Sequence, residues 1–153
     1  MTAELVGTAE RTLRSRRFAA LYAEVERFYA HQMQILDAHD TEHWAGTFTE
    51  DAVLELPSPS GPLRAGAGLA RYVRAGAARE RRAGSRLDHW VGMLDVQPQA
   101  DGTLHTRCSA LVYVTPSGCG SRVLYVRVME DVLVRAGGDW RVAQRRVTRD
   151  DLA

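Results

Sequence analysis

The apolar positions along the chain change period once, near residue 87. From Arg17 to Asp37, the residues Phe18, Leu21, Tyr22, Val25, Phe28, Tyr29, Met33 and Leu36 recur at steps of three and four. That spacing lays one apolar stripe along a single long helix, with Gln32 as its polar break. Residues 1–16 are polar and arginine-rich, and read as a loose tail or frayed helical lead-in to one domain spanning 17–153. Asp40 or Thr41 then caps a short helix carrying Trp44 and Phe48 on one face. Thr49-Glu50-Asp51 reads as a turn and Ala52–Leu56 as a strand. Pro57-Ser-Pro-Ser-Gly-Pro62 is a dense turn cluster before a short return strand near Leu63. Gly66–Ala83 is helical by composition, with Leu69, Tyr72 and Val73 on its apolar face.

From Leu87 onward the period is two. The spacing predicts long strands over 87–97, 104–115, 122–135 and 140–148. Asp101-Gly102, Pro116–Gly120 and Gly137-Gly138-Asp139 are the hairpin signals between them. A meander of long antiparallel strands after helices defines the α+β class. Curved strands wrapped around the N-terminal helix and two shorter helices make a cone-shaped half-open barrel with a pocket between sheet and helices.

Composition narrows the function classes. The chain has 153 residues, 45% apolar and 25% charged, enough for a core without a disulfide or metal staple. A net charge of +1 argues against a dedicated nucleic-acid binder. The arginines between 71 and 86 have no interleaved aromatics for base stacking, so they read as a solvated helix face. All 20 basic residues are arginine, which with the abundance of Ala and Gly indicates a GC-rich coding bias, as in actinobacteria. Cys108 and Cys119 read as free thiols. No signal-peptide core or membrane-length apolar run is evident, and the expected location is the cytoplasm.

Two residues carry the candidate chemistry. Asp37 ends the first helix, where the helix dipole disfavours an anion, so it is expected to face a cavity. His89 lies on an alternating strand between Leu87 and Val91, facing inward. A carboxylate and an imidazole in one apolar pocket can relay a proton. Trp44, Tyr113, Tyr125, Arg127 and Met129 are candidate substrate-binding residues, although Trp44, Phe48, Trp90 and Trp140 equally suit core packing. A buried Arg127 needs Glu130, Asp131 or an anionic, enolate-like ligand as partner. His39 and His43 have the i,i+4 spacing of a zinc pair, but the helix breaks between Asp37 and Thr41 and no third ligand is evident, so no metal is expected. No nucleophile elbow, phosphate loop or dinucleotide fingerprint is present.

Leu36-Asp37, Trp44, Phe48-Thr49 and Asp51-Ala52-Val53 resemble the helix-to-strand corner of the nuclear-transport-factor-2-like superfamily. Arg86–Val91 followed by Val96 and Asp101-Gly102, and Trp140-Arg-Val142 with Arg145 and Val147, resemble two of its strands. The resemblance covers roughly 17–150 and fits two branches: SnoaL-like polyketide cyclases with related dehydratases and isomerases, and the structural small subunit of ring-hydroxylating dioxygenases. In scytalone-dehydratase-like members an aspartate ending the first helix and a histidine on the first long strand share a proton. Asp37 and His89 match those positions, Tyr113 stands near a second histidine's place, and Leu36 replaces a catalytic tyrosine. The resemblance implies a cofactor-independent cyclase, dehydratase or isomerase acting on a polyketide or aromatic intermediate in antibiotic biosynthesis. A homodimer through the outer sheet face is expected, with no nucleic-acid or membrane partner. The alternative is a non-catalytic dioxygenase subunit or a small-molecule binding module.

Overall fold

The computed structural model describes residues 2–57 and 61–150. Its elements are α1 (Thr2–Asp37), α2 (Thr41–Ala45), β1 (Phe48–Glu55), β2 (Leu63–Arg64), α3 (Ala67–Ala83), β3 (Ser85–Pro98), β4 (Leu104–Pro116), β5 (Arg122–Ala136) and β6 (Asp139–Arg149). The strands form one unclosed sheet in the order β2-β1-β6-β5-β4-β3, antiparallel throughout except for β1 beside β6. This is the expected α+β architecture, a long helix held against one face of a curved sheet. The curvature has identifiable sources, because the register slips in the β1–β6, β3–β4, β4–β5 and β5–β6 ladders and each bulge bends a strand and adds twist.

Three boundaries differ from the sequence reading. α1 begins at Thr2 instead of Arg17, and residues 8–20 are exposed along it. Good helix formers extend it beyond the stripe that packs. Phe48 opens β1 instead of ending α2, and Thr49–Asp51 lie within the strand rather than in a turn. Gly46 closes α2 after five residues, and the aromatic that would have continued the helical face stacks edge-on against Trp44 from the strand, 4.8 Å between ring centroids. The turn cluster expected at 57–62 lies partly outside the described residues.

The core is not purely apolar. Arg145 on β6 and Asp131 on β5 are both buried, and the guanidinium grips the carboxylate with two bonds, Nε to Oδ1 at 2.9 Å and Nη2 to Oδ2 at 2.8 Å. Arg145 Nη2 also donates to Gln32 Oε1 at 2.6 Å, and Tyr29 donates to Asp131 Oδ2 at 2.7 Å while meeting Thr106 Oγ1 at 2.5 Å. Gln32 Nε2 continues to Thr47 Oγ1, which donates to the Trp44 carbonyl. The polar break in the helical stripe is therefore a hydrogen-bond partner, and every charged member of the cluster is satisfied. Burial and the Asp131 charge hold the Tyr29 hydroxyl well above its usual range, so it stays a donor. Burial also pushes the Cys108 thiol up to about 12, with Asp131 adding to the effect.

Two outcomes follow from this interior. Asp131→Asn leaves the Arg145 charge buried without its partner and is expected to destabilise the fold by about 3–5 kcal/mol in urea unfolding. With a thiol-reactive disulfide at pH 8, exposed Cys119 should react at once, and Cys108 only as the protein unfolds.

Candidate active site

The row Val25, Tyr29, Met33 on α1 is buried against the sheet at four-residue steps. The next position in that row is Asp37, the last residue of the helix. The helix therefore aims this carboxylate at the sheet. Asp37 Oδ1 meets His89 Nδ1 at 2.7 Å and Oδ2 accepts the His89 backbone N–H at 3.0 Å. The two side chains are only 14% and 19% exposed. An ionised carboxylate can only accept, so Nδ1 carries the ring proton and Nε2 is left to exchange one.

β3 is the edge strand of the sheet, and its N–H groups at alternate residues have no neighbouring strand. His89 gives its N–H to Asp37, and Leu87 gives its N–H to Glu80 Oε1 at 2.5 Å. Each carboxylate thus caps one edge donor with one oxygen and holds a histidine ring with the other. For Glu80 that ring is His39, with Nε2 to Oε2 at 2.5 Å.

Leu36, Asp37, His39, Tyr72, Val73, Gly76, Arg79, Glu80, Leu87, His89, Val112, Leu124, Tyr125 and Arg127 line a partly open cavity of about 220 Å³. A second cavity of about 310 Å³ lies between α1 and β3, with Tyr22, Met33 and Trp90 in its wall, and Asp37 and His89 border it too. Larger, more open depressions occur elsewhere. The one of about 550 Å³ on the opposite sheet face contains Glu55 and Glu130, each already paired at the surface with Arg146 and Arg107.

Of the sequence-derived residues, Asp37, His89, Tyr125 and Arg127 border the 220 Å³ cavity. Arg127 stands 4.8 Å over the Tyr125 ring, and its buried Nε has no hydrogen-bond partner among the described residues. The carboxylates expected to neutralise it are committed elsewhere, Glu130 to Arg107 and Asp131 to Arg145.

The other three lie elsewhere. Tyr113 alternates with buried Val112 and Val114 and pairs with Asp88 and Val123, which puts it on the opposite sheet face. Met129 faces inward beside Cys108, but in the core cluster. Trp44 is buried against Phe48 and Tyr72.

The two histidines with zinc-like spacing separate. His43 pairs with Asp40 at 2.7 Å on the exposed side of α2, while His39 turns to Glu80. Among the described residues no group of three or more His, Cys, Asp or Glu could hold a metal ion. The His39–Glu80 pair is what sequence reasoning missed. Its signal was available, because Glu80 is the lone acid in the arginine-rich α3.

A model of the SnoaL-like domain matches residues 17–146. The chain belongs to this family. Aln2 from a Streptomyces species is 34% identical over 87% of this chain and 93% of its own, with a TM-score of 0.79. ActVI-ORFA from Streptomyces coelicolor is 29% identical over 86% and 96%, with a TM-score of 0.79. A Catenulispora acidiphila protein solved in complex with S-DNPA is 32% identical over 87% and 96%, with a TM-score of 0.73. No curated protein matches the SnoaL-like chain in sequence.

The two-point contact between Asp37 and His89 can be checked without a substrate. In Asp37→Ala the hydrogen-bonded Nδ1 proton of His89 should vanish from the downfield proton NMR spectrum. The His89 amide should also exchange faster with deuterium, by about tenfold or more, as its acceptor is lost.

Proposed function

We propose that the protein is a cofactor-independent acid–base enzyme that cyclises, dehydrates or isomerises a polyketide-derived or aromatic intermediate. The observation that carries this reading is the Asp37–His89 pair in the wall of a partly open cavity. Asp37 fixes the ring and its tautomer, and His89 Nε2 removes a proton from a carbon made acidic by a neighbouring carbonyl. Arg127, whose Nε meets no acceptor among the described residues, stabilises the oxygen that becomes negative as the proton leaves. Positioned acid–base groups of this kind contribute about 10²–10⁴-fold, and the substrate's own carbonyl supplies the remaining activation. Family membership and the S-DNPA complex of a 32% identical relative support a small organic ligand.

The arginine-only composition and relatives from Streptomyces and Catenulispora support an actinobacterial secondary-metabolite setting. A cytoplasmic homodimer, paired through the outer sheet face that exposes Val123 and Val126, fits this reading.

The test uses 3-hydroxy-1-tetralone, a β-hydroxyketone that becomes fluorescent 1-naphthol on losing water, with S-DNPA as the binding probe. Wild type should release naphthol. Asp37→Asn and His89→Gln should each lower the rate by about 10²–10⁴-fold while still binding S-DNPA in calorimetry. A wild-type protein that binds S-DNPA, turns over no β-hydroxyketone and exchanges no α-hydrogen of 1-tetralone with deuterium is a binding module. One that binds nothing and co-purifies with an oxygenase large chain is a structural subunit.

A further inference from the structure

α1 ends in a hydrogen-bond pattern that ordinarily calls for glycine. The Asp40 N–H reaches back to the Ile35 carbonyl at 3.1 Å and the His39 N–H to the Leu36 carbonyl at 3.0 Å, with His39 at φ 56°. This is a Schellman closure, and its left-handed position favours a residue without a Cβ. Here it holds a histidine instead. The strained backbone turns the His39 side chain back beside the cavity that Asp37 and His89 border. Glu80 then holds Nε2 of the ring, and its second oxygen is anchored by the Leu87 N–H, two residues before His89. Glu80 sits in the last turn of α3, just ahead of the Gly84 cap that leads directly into β3, so three elements fix this imidazole.

The cavity wall therefore carries two histidines, each clamped by a carboxylate at one ring nitrogen. Asp37 takes Nδ1 of His89 and Glu80 takes Nε2 of His39. Each ring keeps one nitrogen for proton exchange, Nε2 in the first and Nδ1 in the second. The charged neighbours bordering the same cavity are Asp37 on α1, Arg79 and Glu80 on α3, His89 on β3 and Arg127 on β5.

We infer that His39 is a second catalytic residue and that the reaction is elimination of water from a β-hydroxycarbonyl compound. The inference rests on the acid–base reading above and narrows it. His89 Nε2 takes the proton α to the carbonyl. The electrons of that C–H bond pass through the enolate into the new C=C bond as the β C–O bond breaks. The departing hydroxyl takes a proton from Nδ1 of the His39 imidazolium and leaves as water. His89 ends protonated and His39 neutral, and solvent exchange restores both. One imidazole would have to perform both transfers on one side of the substrate, whereas two allow removal and delivery from different walls. Glu80 is a positioning residue, since it acts only through His39.

The tests separate a catalytic His39 from a structural one. Asn tolerates left-handed backbone and Gly prefers it, so H39N and H39G should melt no lower than wild type. Their turnover of 3-hydroxy-1-tetralone should fall about 10²-fold or more in kcat, with KM changed less than threefold. Long-range nitrogen–proton NMR of wild type should show Nε2 of His39 protonated and Nδ1 as the exchanging nitrogen, and E80Q should lose that preference and part of the rate. Variants H39N and H39G with lower melting temperatures and intact kcat would make the pair a structural latch and overturn the inference, as would an Nε2 that carries no proton in wild type. Loss of turnover in Asp37→Asn but not in H39N overturns the role of His39 and leaves the acid–base reading standing. A wild type that never releases naphthol overturns the elimination, and one that in addition exchanges no α-hydrogen of 1-tetralone with deuterium overturns the acid–base reading as well.

Discussion

Arg145 is a permanent charge buried away from the surface, and the interior is arranged to accommodate that charge. A guanidinium can be buried only if it is paired and fully hydrogen-bonded. Asp131 supplies the paired charge, and α1 supplies Gln32 and Tyr29. The cluster is the polar counterpart of knobs and holes. It specifies which face of α1 meets the sheet and at which height, because a helix rotated by one residue would strand both charges. Apolar side chains alone tolerate such a shift more readily, since their contacts are not directional. Once Tyr29 and Gln32 are seated, the row that contains Tyr29 and Met33 ends with Asp37 facing β3.

The same logic runs along the open edge of the sheet. β3 has a strand on one side only, and its outward N–H groups need acceptors. Asp37 and Glu80 supply them from two different helices. A carboxylate has two oxygens, and one is enough for an N–H. The second oxygen of each adds a further function, because it orients an imidazole beside the partly open cavity. The same carboxylates protect the edge and orient the imidazoles, and so their removal has to be read with both a melting curve and a rate.

Much of this was legible in the chain. The change of period near residue 87 marked the helix-to-sheet order, and the four long strands lie within a few residues of where alternation placed them. The period of two belongs to strands half-buried against helices, and little else produces it over so many residues. Asp37 stood out because an anion at a helix C-terminus is unfavourable unless something else receives it, and His89 stood out as a polar residue on the inner face of its strand. What the local pattern misplaced were the edges of elements. Phe48 continues a helical spacing yet opens a strand, since its partner Trp44 can be met from either.

Local pattern alone was enough for the class of fold, the stripe of α1, the alternation of the long strands and the singling out of Asp37 and His89, which the folded chain pairs. Those features rest on local periodicity and on charges in unfavourable local settings, which are written in short stretches of chain. Which face of each strand holds which side chain was settled by long-range pairing. A one-residue bulge reverses that assignment, and the slip in the β4–β5 ladder falls between Val112 and Tyr113. Only the tertiary structure paired His39 with Glu80, 41 residues away. That contact depends on the end of α1 meeting the end of α3 across the edge of β3, a distance that no spacing within either helix encodes.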